Sequence, residues 1–180
     1  MKTIATPSLT LEPQLAVHAP EMFSVLSDPA IYEFENQPPV NVEWLTTRFE
    51  RLERRTSPDG SEHWLNWVIR LESGALAGYV QATVNADRTA YVAYELSSRY
   101  WRQGIGSNAV RAMMQELRDS YGVCTFLAVL KTRNFRSLGL LQKLGFEPAS
   151  EALAAQHRDE SDESVMVLAW PVNASVHHAR

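Results

Sequence analysis

The segment Glu95-Leu96-Ser97-Ser98-Arg99-Tyr100-Trp101-Arg102-Gln103-Gly104-Ile105-Gly106-Ser107 has the make-up of an anion site. Gly104 and Gly106 lack the β-carbons that would hold a ligand away, and a helix starting there points the free N–H groups of its first turn at an approaching anion. Arg102 adds a charged hydrogen bond to a phosphate oxygen. Alone, a Gly-x-Gly ahead of a helix is equally ordinary tight-turn chemistry, so the surrounding chain has to decide. Gly104-x-Gly106-x-x-Ala109 also satisfies a dinucleotide fingerprint, which requires a parallel strand before it and an acid about 20 residues on. The next strand instead ends in Lys131, Thr132 and Arg133, suited at best to a 2′-phosphate. A Walker loop is excluded because no Gly-Lys-Ser/Thr follows.

Those residues need a scaffold, and hydrophobic periodicity supplies its outline. Leu9, Leu11 and Leu15 fall at odd positions, a half-buried strand within residues 8–16. Pro20 opens a short helix through Met22, Phe23 and Leu26, and Asp28-Pro29 breaks it. Asn41 caps a second helix in which Leu45, Phe49 and Leu52 share a face and Arg51, Arg54 and Arg55 stand at the C-terminal end. Three strands, residues 63–71, 76–84 and 90–96, follow as a meander. After Gly106 the period changes: Val110, Met113, Met114, Leu117 and Tyr121 form a helical stripe closed by Gly122. Residues 123–130 read as a strand covered on both faces, 137–144 as a helix ended by Gly145, and 165–170 as a last strand. The expected fold is α/β of the α+β kind: a mixed, mostly antiparallel central sheet of about six to seven strands flanked by helices, with one βαβ unit in its second half. The expected organisation is one domain over residues 1–171 and a loose tail over 172–180.

Tyr100-Trp101-Arg102-Gln103-Gly104-Ile105-Gly106, followed after a helix and a strand by Asn134-Phe135-Arg136-Ser137 and Leu140-Leu141-Gln142-Lys143-Leu144-Gly145-Phe146, resembles the GNAT superfamily of N-acetyltransferases, and within it the Rim-like branch of ribosomal-protein alanine N-acetyltransferases. The resemblance runs from about Leu9 to Trp170. It implies acetyl-CoA as cosubstrate with no metal, its pyrophosphate held by the amides of Arg102, Gln103, Gly104, Ile105, Gly106 and Ser107. The pantetheine would lie along the strand at Leu96, between strands 90–96 and 123–130 that splay apart. Acetyl transfer then needs an oxyanion donor, for which the Leu96 amide is the candidate, and a route for the amine proton. Glu95 either takes that proton or is a solvated strand carboxylate. Leu141 stands where many members carry a tyrosine acid for the departing thiolate and has no proton to give; Ser137 either fills that role or serves only the helix start and leaves the role to solvent, and Asn134 bonds the pantetheine, caps that helix, or both. Trp101 replaces an arginine or glutamine common among relatives. The acceptor expected from the resemblance is a protein N-terminus, with a small amine second, attacking directly without an acyl-enzyme. The alternatives are an NADP-binding reductase and a catalytically silent CoA-binding scaffold.

Composition sets the outer limits. Hydrophobic residues make up 45% and charged ones 21% of 180 residues, enough for a buried core. A net charge of −4 with no basic stripe argues against nucleic acid, and no apolar run is long enough for a signal peptide or membrane span, so a cytoplasmic protein is expected, with a homodimer an open alternative to a monomer. Five histidines, His18, His63, His157, His177 and His178, show no ligand spacing with Cys124, which reads as a small core residue. Asn173-Ala174-Ser175 matches a glycosylation acceptor by chance. Trp64 and Trp67 point to opposite sheet faces, one into the core and the other free to wall an acceptor pocket. Asp159, Glu160, Asp162 and Glu163 read as a solvated loop, where a cationic acceptor could be attracted.

Overall fold

Residues 65–69 are buried on both faces of their strand: Leu65, Trp67 and Ile69 join one core cluster and Val68 another. The computed structural model of the chain describes residues 1–34 and 36–170; the expected tail and glycosylation tripeptide lie outside them. The strands are β1 (Ile4–Ala5), β2 (Leu9–Pro13), β3 (His63–Leu71), β4 (Leu76–Val84), β5 (Thr89–Leu96), β6 (Thr125–Lys131), β7 (Glu147–Pro148) and β8 (Glu163–Ala169). The helices are α1 (Ala19–Leu26), α2 (Val42–Leu52), α3 (Ile105–Tyr121), α4 (Phe135–Lys143) and α5 (Glu151–His157). The sheet order is β1-β2-β3-β4-β5-β6-β8-β7, antiparallel except for β5 beside β6. This is the mixed, mostly antiparallel sheet expected, with eight strands rather than six or seven. The two additional strands have two residues each, too short to show alternation.

Local chemistry sets the helix ends. Asn41 Oδ1 accepts from Trp44 N at 2.7 Å and starts α2, and left-handed Gly122 at φ 68° closes α3. The strand expected within 8–16 stops at Pro13, and residues 16–18 form a 3-10 turn instead. The sequence pattern missed α5, whose Ser150 Oγ accepts from Leu153 N. Two layers cover the sheet. Val110, Met113 and Leu117 of α3 pack on Leu65, Trp67, Val80 and Phe126, while Met22 and Leu26 of α1 and Leu45 and Phe49 of α2 pack on Val68 and Leu76. Each such side chain contributes about 1.5–3 kcal/mol relative to an exposed one. Cys124 is half-buried just ahead of β6 rather than in the core. Among the described residues no helix is long and apolar enough to cross a membrane.

Candidate active site

The C-terminal end of β5 leads through a 3-10 turn (residues 98–100) and a loop into α3. Three side-chain contacts fold this connection. Asp28 Oδ2 accepts from Ser98 N at 2.8 Å, Trp101 Nε1 donates to Leu96 O at 2.8 Å, and Gln103 Nε2 donates to Arg99 O at 2.8 Å. Burial alone would raise the Asp28 carboxyl, but hydrogen bonds from Ser98 and Ala30 outweigh it and hold it below its ordinary value. Arg102 and Gly104 adopt left-handed φ of 59° and 79°, which turns the chain into the helix. For Gly104 this is natural; for Arg102 it is a strained position of the kind that clusters at ligand sites.

The backbone amides of residues 102–107 donate to no acceptor among the described residues, and Asn108 N, bonded to Gly104 O at 3.0 Å, is the first to close the helix. They converge at the N-terminus of a 17-residue helix with no acid in its first turn, where the helix dipole favours an anion. Gly106 lies against Leu140 and Leu96; a β-carbon there would come within 3.0 Å of Leu140 Cδ1. The bend is therefore bare, and a diphosphate fits the cradle.

Beside the loop the sheet opens. β5 pairs with β6 only at Thr89, Ala90 and Tyr91, so the strands part from Val92 onward. Ser97 N donates to Ala77 O at 2.9 Å, and antiparallel alternation therefore turns the Leu96 N–H away from β4, toward the gap. The approach of β4 that holds this backbone depends on Gly78, against which Glu95 and Leu96 lie too close for any side chain. Glu95 sits on the α2 face, cross-strand from Tyr79, whose hydroxyl hydrogen-bonds to it. Burial, with the Glu95 charge, pushes the Tyr79 phenol well above its ordinary value, so it stays a donor to the carboxylate. Tyr32 is likewise raised by burial and by Glu95, and its hydroxyl donates to Leu26 O.

On the other face, the Tyr94 hydroxyl donates to Ser137 O at 3.3 Å, and burial pushes the phenol up to about 12. Asn134 caps α4, its Oδ1 accepting from Ser137 N at 3.1 Å. Ser137 lines the cleft, and its side chain hydrogen-bonds to the Tyr94 phenol, which works against the rise from burial. Leu141, 1% exposed, belongs to the core. Arg136 spans the opening: it donates to Glu33 at 2.6 Å and lies over the rings of Trp101, at 4.3 Å, and Phe34, at 5.1 Å.

These groups share one cleft of about 920 Å³. Glu95, Leu96, Arg102, Gly104, Gly106, Ser107, Asn134 and Ser137 of the expected site residues line it; Gln103, folded back on Arg99, and Ile105, packed on the core, do not. Gly78, Tyr79, Tyr94 and Asp28 had no role in the sequence reading. Asp28 was legible only as part of a helix-breaking Asp-Pro pair, and the others as strand residues. The acidic run does not line the cleft. Asp159, Glu160 and Asp162 are exposed, as a solvated loop should be, and the run is tied to the sheet by Lys131, whose Nζ lies 2.8 Å from both Glu160 and Asp162 and 3.7 Å from Glu163. Trp67 is core, while Trp64 walls a shallow groove beside α2. A dinucleotide fold is ruled out by the sheet, which has one parallel pair instead of a doubly wound core. Among the described residues no three His, Cys, Asp or Glu side chains converge as metal ligands.

The family described as acetyltransferase (GNAT) domain matches residues 8–147. The ribosomal protein bS18-alanine N-acetyltransferase of Escherichia coli strain K12 is 22% identical over 133 residues, 74% of this chain and 88% of the relative. The structure of RimL, a ribosomal L7/L12 α-N-protein acetyltransferase in complex with coenzyme A, aligns with a TM-score of 0.78 at 16% identity, over 93% of this chain and 98% of that one. The microcin C7 self-immunity acetyltransferase MccE, in complex with acetyl-CoA and AMP, aligns with a TM-score of 0.76 at 18% identity, over 91% of this chain and 93% of that one. At these identities the two structures establish a shared fold.

Proposed function

This chain belongs to the GNAT acetyltransferase family, and on that premise we propose that it acetylates a primary amine, a protein N-terminus first and a small amine second, within a complex that also holds acetyl-CoA. The observation that carries the proposal is the run of unbonded amides at residues 102–107, set beside the gap between β5 and β6. Those amides and the start of α3 would hold the pyrophosphate, with Leu96 and Asn134 beside the pantetheine. Bound there, acetyl-CoA supplies an activated acetyl group as a thioester. The Leu96 N–H is the donor for negative charge on the carbonyl oxygen. Glu95, oriented by Tyr79, accepts the amine proton from the α2 side of the sheet. On the opposite side Ser137 Oγ would give its proton to the departing CoA thiolate, where Tyr94, protonated throughout the neutral range, fixes the first turn of α4. The E. coli relative, named as a ribosomal protein bS18-alanine N-acetyltransferase, and RimL, named as an α-N-protein acetyltransferase, support the choice of a protein N-terminus.

Calorimetric titration of the full chain with acetyl-CoA tests the cradle: binding is expected, and neither heat nor a thermal shift at millimolar ligand would refute it. Peptides with free N-termini, screened against small amines for CoA release, then assign the acceptor. Glu95→Gln and Ser137→Ala should each lower kcat, by about 10²- to 10⁴-fold if they move protons, with little effect on acetyl-CoA affinity. Unchanged rates would clear them of a role, and binding without turnover on any amine would favour a silent scaffold.

A further inference from the structure

On the α2 face of the sheet, one row carries three carboxamides in register. Gln14 N donates to Asn66 O at 2.9 Å, Asn66 stands opposite Gln81, and Gln81 opposite Ala93. All three side chains line the cleft, and Gln14 and Asn66 are only 5% and 7% exposed. Gln14 Nε2 is fully enclosed and has no hydrogen-bond partner among the described residues. A buried donor left in that state is unfavourable and rare, and beside a cleft it offers a place for an acceptor atom of a ligand or a water.

The neighbouring row, two residues along each strand and so about 7 Å away, holds Tyr79 and Glu95. Beyond the carboxamides, Arg48 of α2 lines both the cleft and the adjoining groove, and Arg51 lines that groove with Trp64 and Thr83. The acceptor side of the cleft therefore sets a carboxylate in one row and amide donors in the next, with the Arg48 guanidinium close enough to act on Tyr79 as well.

We propose that the acceptor is an amine bearing a carboxylate, with the amine at Glu95 and the carboxylate about 7 Å away, taking hydrogen bonds from Gln14 and Asn66 and charge from Arg48. This rests on the reading of the cleft as an amine acetylation site. The carboxylate has two sources: an acidic side chain close behind a peptide N-terminus, or the acid group of a free amino acid.

The test uses matched pairs in a CoA-release assay on the full chain: peptides with Glu or Gln beside the N-terminal residue, and ω-amino acids of intermediate length against their primary amides. The carboxylate member is expected to have a kcat/KM higher by about tenfold or more. A preference among peptides identifies an acidic N-terminus, and one among the ω-amino acids identifies a free amino acid. In Arg48→Gln and Gln14→Met, each checked for folding by its melting curve, that ratio should fall toward one. A parent ratio near one with normal turnover would overturn the inference and leave the acetyltransferase reading intact, as would a parent preference that both variants keep. Absence of acetyl-CoA binding and of turnover on every amine would overturn the acetyltransferase reading itself.

Discussion

Replacing Gly78 by alanine should disable the site from the neighbouring strand. A β-carbon there falls 2.8 Å from Leu96 Cα and 2.9 Å from Glu95 C, with the Glu95 carbonyl oxygen nearer still. Carbon atoms in contact sit about 3.5–4.0 Å apart, so the end of β5 must retreat by on the order of 1 Å. The obstructing atoms are backbone, with no side-chain rotamer to relieve them. The bond from Ser97 N to Ala77 O, 2.9 Å in the parent, would then stretch past hydrogen-bonding range. Overpacking and the weakened ladder together cost about 2–4 kcal/mol, which for a chain of this size lowers Tm by on the order of 10 °C. The functional penalty is larger, because the displaced residues carry the proposed proton acceptor and oxyanion donor. A misplacement of about 1 Å lowers rate by about 10²-fold. Steady-state CoA release below the variant's Tm, with calorimetry for acetyl-CoA affinity, should show kcat falling far more than affinity. A Gly78→Ala variant with kcat/KM within about threefold of the parent would refute the claim that this close approach positions Glu95 and Leu96.

Two further outcomes follow from single residues. Asp28 is held below its ordinary pKa of 3.8 when folded, so its carboxylate adds stability at neutral pH that is lost as pH falls below 3.8. Asp28→Asn should cost about 1 kcal/mol at neutral pH, and its Tm should fall less steeply with acid than the parent's; parallel Tm curves for the two proteins would refute the assignment. Gly139 lies inside α4 with open space within 4 Å of where a β-carbon would stand, so Gly139→Ala should raise Tm by about 2–3 °C; a lower Tm in thermal melts would mean that the helix surface there is not open.

The strands 63–71 and 76–84 were legible to the residue because alternation, turns and β-branched content agree there. The cradle was legible because glycine at 104 and 106 is a local signal, and its conformation is set by neighbours within a few positions. What escaped depends on partners distant in sequence. Gly78 matters only because β5 lies against it, and Gln14 only because register sets it beside Asn66. The acidic residues near 160 are solvated as read, but their shared partner Lys131, about 30 positions away at the end of another strand, was not legible. Gln103 was drawn toward the ligand by its place in the motif, while its side chain is spent capping the preceding turn at Arg99.

The three residue pairs that join β5 to β6 are the thinnest part of the sheet. Each flank is knitted by a long antiparallel ladder, so this seam is a natural hinge line, with unclaimed peptide groups along both lips beyond Tyr91. An extended amide-bearing guest laid into it acts as a clasp, tying the lips through itself. Saturation should therefore tighten the molecule as a whole, with slowed amide exchange spreading outward from residues 92–96 into both flanks.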